Sequence, residues 1–270
     1  MQIKTNLHIK IAAESGISYL KNCYCTTPLK VLNISEDKQA PALQLMLMSS
    51  SPGILDGDAY DIKIELDKNS SLKLHTQSYQ RLFTMQNYAT QKMHIRLAKN
   101  AAFTFIPHPV VPHVKADFTA RNKFFLEDDC SLIFGEIITC GRKLNGEIFQ
   151  FSKYHSVTEI FINNKLVIKE NLLMQPLLFN LNTIGQLQGF THQASLIYLN
   201  ENVIIKPIIM HLLELLSTQN DISAGISMAP VNGLIVRLLG QKAEQLFDCL
   251  KMIGDFLPEI NTTKPNVYAI

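Results

Sequence analysis

The sequence predicts a mainly β protein: an elongated β-sandwich or β-helix-like body of stacked hairpins, with a small helix–hairpin–helix part at its C-terminal end. Three observations predict it. Apolar and polar residues alternate with period two in several runs between residues 59 and 168. The leucine that precedes a turn recurs at positions 66, 97 and 126, intervals of 31 and 29 residues. From Pro207 onward the apolar period becomes helical.

In the first unit Ile62, Ile64 and Leu66 alternate with Asp61, Lys63 and Glu65, and Asp67-Lys68-Asn69-Ser70 turns the chain into Leu72-Lys73-Leu74. The second runs from Met93 to Leu97, turns through Ala98-Lys99-Asn100-Ala101 and continues from Ala102 to Phe105. The third is Phe124-Phe125-Leu126, the turn Glu127-Asp128-Asp129-Cys130 and the strand Ser131 to Phe134. A looser fourth copy joins Glu159–Ile162 to Leu166–Ile168 through Asn163-Asn164. One unit alone leaves an apolar face in water, and stacking buries these faces against one another. Gly141 and Gly146 read as turn positions joining Ser131–Ile138 to a strand at Ile148–Phe151, which brings Arg142 and Glu147 together as a surface ion pair.

Residues 1–200 form the predicted body and 201–270 the C-terminal part, packed on the body as one structural unit because no Gly/Ser-rich or Pro-rich linker separates them. Helices are predicted over Pro207–Thr218 and over Gln241–Leu257, the second with Leu246, Phe247, Leu250, Ile253 and Leu257 on one face. Between them lie strands at Asp221–Ala229 and Leu234–Leu239, with Asn232-Gly233 as a hairpin signal.

Of the 270 residues 47% are hydrophobic and 18% charged, which argues for a folded chain whose rather apolar surface expects a partner. The net charge of +2, with no basic run, gives no footprint for nucleic acid. No apolar stretch approaches the ~20 residues that span a bilayer, and the first residues lack the pattern of a secretory signal. Five scattered cysteines do not form a disulfide framework, so the expected compartment is the reducing cytoplasm. Nucleotide-binding loops, hydrolase elbows and zinc-protease motifs are missing.

Four stretches carry possible chemistry. Cys23-Tyr24-Cys25 puts two thiols on one side of an extended segment, suited to a soft metal, yet without a second pair at zinc-site spacing. His108 and His113 lie in a proline-rich connection and read as surface or packing residues. Asp56 and Asp58 sit in a glycine-containing turn, where aspartates accept local backbone hydrogen bonds. His75-Thr76-Gln77-Ser78-Tyr79-Gln80-Arg81 follows an apolar strand without being a short turn, and polar residues at equivalent strand ends would line a shared channel.

In order along the chain, Ser-Pro-Gly-Ile-Leu-Asp-Gly-Asp at 51–58, Thr76-Gln77-Ser78, the Pro-x-Pro at 107–109, Gly-Arg-x-x-x-Gly-Glu at 141–147, Gly225-Ile226-Ser227 and Leu234–Gly240 resemble the urease accessory proteins of the UreD/UreH family. The resemblance covers nearly the whole chain. It implies a non-enzymatic maturation factor with no tightly bound cofactor and nickel in transit, passed through an internal tunnel toward the urease active site. It implies as partners a UreF-type helical accessory protein, a UreG-type GTPase reached through it, and apo-urease, in a dimer of heterodimers. The C-terminal helices offer a face for the helical partner. Carried over by motif, Asp58, Thr76, Ser78, Glu136 and Glu147 are candidates for the nickel path and Arg142 for a structural position on the tunnel. Arg81 departs from the family's usual lysine, and Cys23 and Cys25 match no family motif. A β-helix-type carbohydrate enzyme, with Asp56 and Asp58 or Glu136 and Glu147 as the carboxylate pair, is the alternative. The lack of tryptophan platforms weighs against it.

Overall fold

A computed structural model describes residues 4–257, so residues 1–3 and 258–270, the outer ends of the two predicted parts, lie outside the described residues. The chain folds into two stacked β-sheets with a layer of two helices on the outer face of the second. The seven-stranded sheet contains β1 (Lys4–Glu14), β2 (Ile17–Cys25), β5 (Ala59–Leu66), β8 (Ala89–Leu97), β11 (Asp117–Leu126), β13 (Lys153–Ile162) and β14 (Lys165–Met174), in the order β14-β13-β11-β8-β5-β1-β2. The second sheet contains β3 (Leu29–Asn33), β4 (Ala42–Ser49), β6 (Ser71–Thr76), β9 (Ala102–Phe105), β12 (Ser131–Ile138), β15 (His192–Asn200), β16 (Ile222–Met228) and β17 (Gly233–Gly240), in the order β16-β17-β15-β12-β9-β6-β4-β3. Two short strands, β7 (Gln80–Leu82) and β10 (Val110–Pro112), pair beside its β12 end.

The predicted stacking is present, with a different pairing inside each unit. β5 does not pair with β6, nor β8 with β9, nor β11 with β12; the first strand of each unit enters one sheet and the second enters the other. The turns are therefore corners between sheets, and each unit pairs in parallel with its neighbour. Leu66 aligns with Leu97 and Leu97 with Leu126, so the intervals of 31 and 29 residues are the length of one coil. The corners also bond to one another. Asn69 N–H donates to Lys99 O and Asn100 N–H to Asp128 O, both at 3.1 Å, and Asn100 Nδ2 donates to Asn69 Oδ1 at 2.9 Å. Asn69, Asn100 and Asp129 adopt positive φ (58°, 59° and 58°), which short polar side chains tolerate. The fourth unit does close as a hairpin, β13 against β14, and ends the sheet.

One further expectation changes. Ile148–Phe151 is not a strand: β12 ends at Ile138, β13 starts at Lys153 in the other sheet, and a short 3-10 turn at Lys143–Asn145 lies between. The C-terminal hairpin β16–β17 extends the second sheet by pairing with β15. The two helices, α1 (Ile205–Ser217) and α2 (Ala243–Phe256), fall where predicted.

Two cores result. The period-two alternation has a simple origin here: residues of one parity on the sheet strands, such as Ile64, Ile95, Phe124, Leu72 and Phe103, fill the space between the sheets. Residues of the other parity on β12, β15 and β17, including Ile137, Leu196 and Val236, meet Ile208, Leu212, Leu246, Leu250 and Ile253 of the helices. Each fully buried aliphatic side chain contributes about 1.5–3 kcal/mol.

Candidate functional site

At the end of the sandwich away from the corners, the space between the sheets is not filled. A cavity of about 170 Å³ lies there, lined by Tyr60 and Met93 of the first sheet and by Thr76, Phe105 and Glu136 of the second. Its mouth is formed by Ser51-Pro52-Gly53 and by Gln77-Ser78-Tyr79-Gln80. Gly53 is required for this mouth: a Cβ there would collide with the Arg81 carbonyl oxygen, which accepts the Ile54 N–H at 2.8 Å.

Thr76 fixes one side of the mouth. Its hydroxyl accepts the His108 N–H at 2.9 Å and stands 2.8 Å from His108 Nδ1. The His108 ring packs 4.4 Å from that of Phe247 on α2, and burial holds its pKa below the ordinary histidine value. Tyr79, a lining residue, donates its O–H to Glu244 of α2 at 2.6 Å. The helix layer thus touches the mouth directly.

Deeper in, polar residues continue in register across both sheets. Asn122, Thr158 and Glu170 align on β11, β13 and β14, on the parity that faces inward. Opposite them Glu136, Ser195 and Arg237 align on β12, β15 and β17. Asn122, Ser156 and Thr158 are 3%, 2% and 2% exposed, an unusual run of polar groups inside a β-sandwich. Tyr154 O–H donates to Glu136 Oε1 at 2.7 Å and Asn122 Nδ2 to Thr158 Oγ1 at 3.1 Å. Asn122 Oδ1 is buried and makes no hydrogen bond, which leaves an acceptor without a partner among the inward-facing residues. At the far edge Arg237 Nη2 reaches both carboxylate oxygens of Glu170, at 2.8 and 2.7 Å, and ties the sheets together.

Burial raises the pKa of Glu136 above the ordinary carboxyl value, against the nearby Ser156 and Tyr154 hydroxyls, which favour its ionised form. Burial and the facing carboxyl likewise push the Tyr154 phenol up.

Of the residues named from sequence, Thr76, Ser78 and Glu136 come together on this cavity. Asp58 stands one layer behind it. Its Oδ2 accepts the Leu55 N–H at 2.8 Å, and burial together with the Asp58 carboxylate pushes the pKa of Tyr60, a lining residue, up to about 12. Glu147 and Arg142 lie away from the lining. Glu147 binds the Arg142 guanidinium at both carboxylate oxygens, with the Nε–Oε2 contact at 2.9 Å, and its pKa is lowered by that bond. The predicted ion pair is therefore present, inside a loop rather than across a hairpin. The polar row of Asn122, Tyr154, Ser156, Thr158 and Glu170 consists of site residues that the sequence reading does not pick out, and His108, read there as a surface or packing residue, stands at the mouth. A signal exists for part of the row: Asn122, Ser156 and Thr158 break the apolar parity of their strands.

Comparison with known proteins decides what kind of protein carries this cavity. A sequence profile for the family described as UreD urease accessory protein matches residues 4–267. The chain belongs to the UreD family. Urease accessory protein UreD of Flavobacterium johnsoniae is 50% identical over 249 residues, covering 92% of this chain and 90% of that one. The UreD proteins of Acetivibrio thermocellus and Haemophilus influenzae are each 34% identical, over 94% and 96% of this chain and 97% and 100% of theirs. Membership of the UreD family places the chain in urease maturation, among proteins named as accessory factors rather than enzymes. Among the described residues no helix is long and apolar enough to cross a membrane, and no group of three or more His, Cys, Asp or Glu is placed to hold a metal ion.

Proposed function

We propose that the chain is a nickel-delivery scaffold in urease maturation and that nickel passes between its two sheets, entering at the Thr76–Ser78 mouth and moving past Glu136 toward Glu170. Nickel is cargo here, not a resident cofactor. The observation that carries this reading is Glu136: a carboxyl at the inner end of an inter-sheet cavity, continued by polar residues in register to an ion pair at the sheet edge. Oxygen donors hold a late transition metal more weakly than nitrogen or sulfur, which suits passage over retention. Asp58 acts on the path through Tyr60, and Arg142 and Glu147 act as scaffold.

The proposed partners are a UreF-type helical accessory protein, a UreG-type GTPase reached through it, and apo-urease, in a cytoplasmic dimer of heterodimers. The carbohydrate-enzyme reading gains no support. Asp56 is held by Asn87, Asp58 by Leu55, Glu147 by Arg142 and Glu136 by Tyr154, so each proposed carboxylate is engaged by its own partner.

Urease activity in cells that express the urease subunits and the other accessory proteins, with and without this chain at limiting nickel, tests the reading. Activity only with the chain is expected, and equal activity in both cells overturns it.

A further inference from the structure

Cys23 and Cys25 lie on β2, the edge strand of the seven-stranded sheet, and neither is used by the nickel path. Cys23 pairs with Ile9 and Cys25 with Leu7, so both thiols leave the strand on one side, two residues apart or about 6.6 Å along it. They are near enough that Cys25, after burial, contributes to raising the Cys23 pKa. Both are free thiols, Cys23 exposed and Cys25 half-buried against the inter-sheet core.

The surroundings limit what such a pair can bind. His8 pairs with Tyr24, the intervening residue, and so projects to the opposite side of the sheet. Cys130, Cys140 and Cys249 are buried elsewhere. Among the described residues no third His, Cys, Asp or Glu joins the pair. Zinc sites take four ligands, and nickel(II) takes tetragonal sets of nitrogen and oxygen donors. Soft thiolates select copper(I), which is stable with two ligands.

We propose that Cys23 and Cys25 form a two-coordinate site for one copper(I) ion, separate from the nickel path. Binding exchanges two S–H protons for two S–Cu bonds: one Cu(I) and two thiols give an S–Cu–S unit of net charge −1 and two protons released to solvent, with no change of oxidation state.

The test is anaerobic competition of the reduced full-length protein against the coloured Cu(I)–bicinchoninate complex, followed by copper-edge X-ray absorption. The protein is expected to withdraw one equivalent of copper bound by two sulfurs. Cys23→Ser and Cys25→Ser should each weaken binding at least 100-fold while urease activation persists, since both positions lie at the sheet edge. Failure of the parent protein to withdraw copper overturns the proposal, as does retention of one tightly bound equivalent by both variants. Equal uptake of zinc(II) under the same conditions also overturns it.

Discussion

Glu136 and Glu147 are two carboxyls that the same fold shifts in opposite directions. For Glu136 burial dominates and its folded pKa lies above the ordinary value, so the folded state binds more protons than the unfolded one as pH rises past that value. Stability then falls with rising pH on the alkaline side of about 4.5. Glu136→Gln removes the buried ionisation and is expected to raise Tm at neutral pH by about 2–4 °C, the effect of about 1 kcal/mol in a chain of this size, while urease activation falls. Glu147 follows the other rule. Its folded pKa is lowered by Arg142, so its contribution is present above the ordinary carboxyl value and is lost as pH falls through the folded one. Glu147→Gln should flatten the acid limb of the stability curve, measured by thermal unfolding across the carboxyl titration range. It should also speed hydrogen exchange at the Phe149 amide, which bonds to Cys140 O at 2.7 Å across that loop.

Among the elements, the coil of parallel strands depends on leucines stacked at the corners. Leu97 is 1% exposed and aligned with Leu66 on one side and Leu126 on the other. Leu97→Ala is expected to cost about 2–5 kcal/mol by chemical denaturation. Gly53→Ala should cost about 2–4 kcal/mol through its contact with the Arg81 carbonyl, with local loosening at Ile54 and Phe83 by hydrogen exchange. Much of this level was legible in the sequence: the strand runs, the repeat length, both helices and the C-terminal hairpin. The strand pairing was not, because four polar residues between two alternating runs serve equally for a hairpin and for a corner between sheets. Nor was the end of β12, since Ile148-Phe149-Gln150-Phe151 alternates like a strand while Gly141, at φ 119°, turns the chain out of the sheet. Glu136 is reached through the family resemblance alone, and Thr76 both through it and through the polar stretch 75–81 that follows an apolar strand. Asn122, Ser156 and Thr158 leave one trace in the sequence, a break in the apolar parity of their strands, and it is easily passed over because a polar residue within a strand normally marks the solvent face.

For the whole molecule, three layers divide the work. The inter-sheet layer holds the cavity and the polar row, and the outer helix layer reaches the cavity mouth through Phe247 on His108 and Glu244 on Tyr79. Under the proposed function a partner seated on the helices would act on the mouth through these contacts, and Tyr79→Phe, which removes one of them, should reduce urease activation without abolishing it. The far edge is closed by Arg237 and Glu170, the pair that joins the two sheets where the polar rows end. The most direct test of the passage is the nickel content of urease purified from cells at limiting nickel, with the parent chain, Glu136→Gln or Glu136→Ala, after co-purification has shown that each variant still assembles with its partners. The account predicts at least a tenfold loss of nickel per urease active site in both variants. Full nickel loading with both would contradict it and move the path away from the space between the sheets.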